Sequence, residues 1–232
     1  QLIAIGSDPN LLQASFILVA NIDLTLLGPG SFPTDLIAPS PEYSYPGDSG
    51  TFTGHFDGNA HVIRNLRISN ASAYHLGLFG FVGPGGRIEN LHIEDAEVTG
   101  YNRVGLLAGN NGGTISNCSV AGFVHGVSNT GGLVGANGIE RNGRSAVGSL
   151  PGRIEHCESR CTIEGRSNVG GLIGVNLQGP VTSSWADCTI DGASTAGGLM
   201  GQAYRDEKTS CYALGRITGD HNVAGLLGRN SP

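Results

Sequence analysis

Lysine is nearly missing from this chain: Lys208 is its single instance. Charged residues reach only 14%, against roughly 25% in an ordinary globular domain. The arginines are scattered along the chain and the net charge is −6. With no basic stripe to follow a phosphate backbone, nucleic acid is excluded as the expected partner. No apolar run approaches the ~20 residues of a membrane-crossing helix. The segment Phe16–Leu27 is apolar but broken by Asn21 and Asp23. Five cysteines make an odd number for a disulfide framework, no Cys-x-x-Cys occurs, and the calcium-binding glycine–aspartate nonapeptide is absent. No metal and no cofactor are called for.

Glycine, by contrast, is abundant, at 39 residues, more than twice the usual ~7%. There is no Gly-X-Y period, so collagen is excluded, and 39% hydrophobic residues at regular spacing exclude disorder. A motif recurs instead. It reads Leu-Gly-Leu-Phe-Gly at 76–80, Val-Gly-Leu-Leu-Ala at 104–108 and Gly-Gly-Leu-Val-Gly at 131–135. It returns as Gly-Gly-Leu-Ile-Gly at 170–174, Gly-Gly-Leu-Met-Gly at 197–201 and Ala-Gly-Leu-Leu-Gly at 224–228. The central leucines are Leu78, Leu106, Leu133, Leu172, Leu199 and Leu226. Four of the five intervals between them are nearly equal; the one from Leu133 to Leu172 is longer. That outlier is one period plus an insertion, placed at 138–152. A second motif follows each leucine, as in Gly113-Thr-Ile-Ser-Asn-Cys118 and Gly152-Arg-Ile-Glu-His-Cys157. A third closes each unit, as in Val124-His-Gly126 and Ile163-Glu-Gly165.

Each unit is therefore three short β-prone runs separated by turns. None has the 3.6-residue period of an amphipathic helix. One such unit cannot bury its apolar face alone, so stacking of like positions must make the core. The sequence predicts an all-β fold: a right-handed parallel β-helix, or β-solenoid, of ~27-residue coils over 51–232. Position by position, a glycine precedes each central leucine: Gly77, Gly105, Gly132, Gly171, Gly198 and Gly225. Four places beyond the leucine stand Asn110, Asn137, Asn176 and Asn230, expected to form an amide ladder in a turn. Cys118, Cys157 and Cys211 share one position, with Ser184 in the fourth copy, and Cys161 and Cys188 share another. These are expected to be buried thiols stacked as small hydrophobes.

The Gly-Gly-Leu-Val-Gly cores, with Asn-Cys and Val-x-Gly following, resemble the GLUG-repeat family of bacterial secreted and cell-surface proteins. The stretch Phe52–Ile68 resembles the segment that opens such arrays. The resemblance implies export from a bacterium, hence an extracellular or cell-surface location, and a right-handed parallel β-helix. Some such arrays accompany an IgA-cleaving metallopeptidase domain, but its His-Glu-x-x-His-type zinc motif is absent here. Residues 1–50 differ. Ser7-Asp-Pro-Asn-Leu-Leu12 carries helix-start signals, 16–24 is apolar and β-branched, and Pro33, Pro39, Pro41 and Pro46 mark an irregular loop. This region is expected to cap the N-terminal end of the solenoid. Because the chain opens at Gln1 and runs out shortly after a repeat motif, it is expected to be a mature or excised piece of a longer protein.

Catalytic constellations are sparse. Glu155 with Glu158, or Asp187 with Asp191, are the carboxylate pairs a polysaccharide hydrolase would need, yet each lies where its repeat carries ordinary outward polar residues. His156 and Cys157 are adjacent, so on a strand they point to opposite faces. One patch breaks the repeat. The insertion brings Arg141 and Arg144, and the corresponding turn two coils later brings Tyr204, Arg205 and Lys208. An aromatic beside cations there is the candidate binding site, for an extracellular glycan or a surface protein. The leading expectation is a non-catalytic structural, adhesive or recognition module of a larger exported protein. A polysaccharide lyase or glycoside hydrolase, and a self-associating surface-layer or filament component, are the alternatives.

Overall fold

The computed structural model describes residues 2–27, 30–39, 50–139, 150–192, 194–204 and 207–231. Three parallel sheets run the length of the molecule, and in each the strands lie in chain order. The first contains Ser15–Ile17, His55–Asp57, Arg87–Glu89, Thr114–Ser116, Arg153–Glu155, Pro180–Thr182 and Glu207–Thr209. The second is built on Ile22–Asp23, Val62–Arg64, His92–Thr99, Ser119–Gly131, Glu158–Gly170, Trp185–Gly192 and Tyr212–Thr218. The third contains Phe79–Val82, Ala108–Asn111, Val134–Asn137, Ile173–Asn176, Met200–Tyr204 and Leu227–Ser231. The chain visits them in turn, so each circuit lies hydrogen-bonded on the one before. This is an all-β architecture of stacked parallel sheets.

The alternation along each strand sets the direction of its side chains. In Arg153-Ile154-Glu155 the isoleucine is fully buried between an exposed arginine and a half-buried glutamate. Identical positions then stack: Phe56 pairs with Ile88, Ile88 with Ile115, Ile115 with Ile154, and Ile154 with Val181. Each is fully buried, which is worth roughly 1.5–3 kcal/mol per side chain. The column ends at Lys208, paired with Val181. The corner between the first and second sheets is a left-handed residue in circuit after circuit: Asn90, Asn117, His156, Ser183 and Ser210 all have φ between 48° and 56°.

Three details differ from the sequence reading. The amide ladder is Asn111–Asn137–Asn176, with side-chain bonds of 2.8 and 2.9 Å. Asn110 stands one residue out of it, paired with Ala136, and its buried amide has no partner among the described residues. Its neighbour takes the place because Ala108, not Leu107, is in register with Val134. The same offset puts Gly105 beside Gly131 and Leu106 beside Gly132, since Val104 pairs with Thr130. The glycines named before the leucines thus form two adjacent columns. The third difference lies in the Val-x-Gly motif, which ends the strand in three circuits but not in the two at Gly126 and Gly165. Ser119–Gly131 and Glu158–Gly170 continue through Gly126 and Gly165 as unbroken 13-residue strands. A Cβ at Gly126 would overlap Thr130 Oγ1, and one at Gly165 would lie 2.7 Å from Val169 Cγ2. The missing side chain lets the chain bend and fold the residue four places on over the gap.

At the N-terminal end, Asp8 caps a 3-10 helix over Pro9–Gln13 by accepting from the Asn10 amide at 2.9 Å, with Pro9 in its first turn. A helix over Leu2–Ser7, which no capping signal announces, precedes it and buries Leu2 and Ile5. Ser15–Ile17 and Ile22–Asp23 already belong to the first and second sheets, so the ladders begin upstream of residue 51.

Candidate functional site

The outer face of the second sheet carries a column of aromatic and polar side chains. The column reads His92, Ser119, Glu158, Trp185 and Tyr212, each paired with the next. His92 Nδ1 and Ser119 Oγ are 2.6 Å apart. Glu158 binds Arg160 on its own strand at 3.0 Å. Arg160 also lies over the Trp185 ring, 4.8 Å from its centroid. From the following strand, Tyr212 stacks on the same indole with centroids 5.7 Å apart and planes within 2°. The parallel register causes this: aromatics one circuit apart are brought to the strand spacing of ~4.8 Å.

A groove of about 380 Å3 opens beside this column, at the left-handed corner. His92, Asn117, Cys118, Ser119, His156, Glu158, Ser183 and Trp185 line it. Ser119 sits between His92 and Glu158 in the column. A hydrolytic triad requires the histidine in the middle, so this order does not build one. Cys118 is buried and donates to the Ser116 carbonyl, and burial pushes its thiol well up, away from the thiolate.

Acidic side chains elsewhere on the sheets are similarly engaged. Glu155 is bound to Arg153, Glu94 to Arg64, Glu97 to Arg67 and Glu164 to His125. Glu89 is held below the usual carboxylate range by its hydrogen bond from Arg87, with His55 adding to it. Glu155 and Glu158, one of the two carboxylate pairs named from the sequence, are thus each tied to an arginine; in the other pair Asp191 accepts from Thr218 Oγ1 at 3.2 Å, and among the described residues neither it nor Asp187 has an ion pair.

The candidate patch read from the sequence is only partly visible. Arg141, Arg144 and Arg205 lie outside the described residues. Tyr204 is half-buried, packs on Ala136, Val175 and Leu177, and accepts a hydrogen bond from Gln202 at 2.8 Å. Lys208 is half-buried in the first-sheet column. Tyr204 therefore acts as a packing residue of the third sheet. Sequence reasoning missed the groove, although Trp185 and Tyr212 stand one repeat period apart, directly after Ser184 and Cys211; that spacing was the signal.

The cysteines stack in two columns, but Cys211, expected to be buried, is only half-buried. Cys118, Cys157 and Ser184 lie in one column, where the Cys157 amide donates to Ser184 Oγ at 3.0 Å. In the other, the Cys161 amide donates to Cys188 Sγ at 3.2 Å. All five cysteines are free thiols, four of them buried. Hydrogen bonding with Cys188 and burial raise the Cys161 thiol well above its ordinary value.

The architecture is that of a protein built by stacking one strand–turn unit on itself, and it has known counterparts. It superposes on a solved structure from Bacteroides ovatus described as a "putative immunoglobulin A1 protease", with a TM-score of 0.67 at 22% identity, covering 96% of this chain and 68% of that one. That likeness is one of fold. In sequence, 88 residues are 44% identical to "Halomucin" of Haloquadratum walsbyi, covering 38% of this chain and 1% of that protein. A further 110-residue match, 36% identical, is to a "Putative Gly-rich membrane protein" of Evansella cellulosilytica, covering 45% of this chain and 12% of that one. The chain thus corresponds to a small fraction of these relatives' length. No protein-family model matches it.

Proposed function

We propose that this chain is a right-handed parallel β-helix of GLUG-type, ~27-residue coils, capped by residues 1–50, that serves a larger exported or cell-surface protein as a non-catalytic scaffold and recognition module. The observation that carries this reading is the in-register stacking of three ladders, with the outward Glu94, Glu97, Glu155 and Glu158 each tied to an arginine. The names of the relatives, a halomucin and a glycine-rich membrane protein, agree with a surface setting. No helix among the described residues is long and apolar enough to cross a membrane.

The test is incubation with neutral and acidic polysaccharides and mass spectrometry of any released oligosaccharides. No product is expected. Products that vanish on substitution of one residue would overturn the reading and locate an active site.

A further inference from the structure

We infer that the groove at the corner between the first and second sheets is a saccharide subsite, which takes one neutral pyranose unit of a polysaccharide. The inference deepens the recognition role proposed above and rests on it. The groove's volume of about 380 Å3 falls within the ~300–1,000 Å3 typical of small-molecule sites.

Its polar groups are left open by the protein. Among the described residues, the ring of His156 and the hydroxyl of Ser183 make no side-chain hydrogen bond, and the Trp185 indole N–H has no acceptor. Asn117 uses its amide nitrogen on Asn90 at 3.3 Å and keeps its oxygen. His92 uses Nδ1 on Ser119 and keeps Nε2. The groove therefore offers donors and acceptors interleaved around an aromatic edge. A pyranose matches this pattern, with hydroxyls that both donate and accept around apolar ring carbons.

Other ligand classes fit less well. No lysine or arginine lines the groove and Glu158 does, so an anion finds no counter-charge. An extended peptide binds by adding to an open sheet edge, whereas this groove lies beside strands paired on both sides. The indole is fixed in place by Arg160 and Tyr212. Such a wall needs no ordering when ligand arrives.

Trp185 is the only tryptophan, so its emission reports on the groove directly. The experiment titrates the full chain with maltotetraose, cellotetraose and mannotetraose, with tetraalanine as the peptide control. At least one tetrasaccharide should shift the emission saturably, and tetraalanine should not. Asn117 and His156 have φ of 53° and 54°, so glycine is unstrained at both positions. The double variant Asn117→Gly/His156→Gly should keep its circular dichroism spectrum and bind at least about tenfold more weakly. The inference is overturned if no tetrasaccharide shifts the emission, if tetraalanine binds equally, or if the folded double variant binds undiminished. Mass spectrometry of the same mixtures separates this from the broader reading. Binding with cleavage sinks the non-catalytic module and leaves the groove, whereas neither binding nor cleavage sinks the groove and leaves the module.

Discussion

The two ends of the stack show what a neighbouring coil contributes. Near the first end, Phe52, Phe56 and Phe79 form a cluster of tilted and edge-on rings at 5.2 and 5.4 Å and are fully buried. The helix over Leu2–Ser7 and the 3-10 helix over Pro9–Gln13 add Leu2, Ile5 and Leu12 to the same core. In the last circuit the inward residues Ile217, Leu226 and Leu227, the last of them in the column of Phe79, are only half-buried. The side chains point the same way at both ends. What differs is whether another layer lies on them. In a stacked protein, burial is supplied by the next layer and not by the fold of a single one.

The largest expected contrast comes from the core. Phe56→Ala should cost about 4 kcal/mol in urea unfolding, as a fully enclosed phenyl ring leaves a cavity, whereas Ile217→Ala should cost about 1 kcal/mol. Equal losses would show that the last circuit is as well packed as the first. Next comes a glycine column. A Cβ at Gly198 would overlap the Gly225 carbonyl oxygen, but one at Gly225 would meet nothing within 4 Å. Gly198→Ala should therefore destabilise by about 3 kcal/mol and Gly225→Ala by under about 0.5 kcal/mol. A tolerated Gly198→Ala would mean that the coils can separate locally.

The amide ladder gives a smaller step. Asn137 bonds Asn111, Asn176 and the Gly152 carbonyl from a fully buried position. Asn137→Ala should cost about 2–3 kcal/mol, because it orphans buried partners. The exposed Asn230 of the last circuit should cost under about 0.5 kcal/mol when replaced. The smallest contrast is a pH effect. Burial, with Arg103 adding to it, lowers the His75 pKa from 6.5 to about 3. The folded chain thus keeps His75 neutral while the unfolded chain takes up a proton below pH 6.5. Stability is fully present above that pH and is lost as pH falls toward 3. Between pH 7 and 5 the loss should be about 2 kcal/mol. His75→Phe should flatten the dependence, measured as urea midpoints at the two pH values. The corner residue in the same position of the last circuit, Asn222, is exposed and carries no such dependence. An unchanged slope in His75→Phe would assign the acid sensitivity to other groups.

Legibility in the sequence followed the repeat. The cysteine columns could be read because they depend on a residue's place in its own unit, and the Asp8 cap because it depends on local helix-start signals. Asn110 and Leu106 could not be placed. The circuit holding them gains one residue before Ala108, and an extra residue beside Ile93, Asp95 at φ 52°, is absorbed as a bulge against Val120 and Gly122. Only pairing across circuits reveals where such a slip falls. The groove was hidden for a related reason. Its lining comes from circuits that are distant in sequence, and its histidines sit on different elements, a strand and a left-handed corner.

The sequence by itself determined that this chain stacks. Small residues where layers touch, an inward β-branched or aromatic residue in each short run and corner residues that tolerate φ > 0 leave a single coil unable to bury its own apolar face. Tertiary structure decided the rest: which copy pairs with which, by how much each is offset, and which outward side chains meet. Repeat motifs encode the direction of each side chain. The contacts that build a binding surface depend on the sum of small insertions and bulges along the stack, and that sum is settled only when the layers lie on one another.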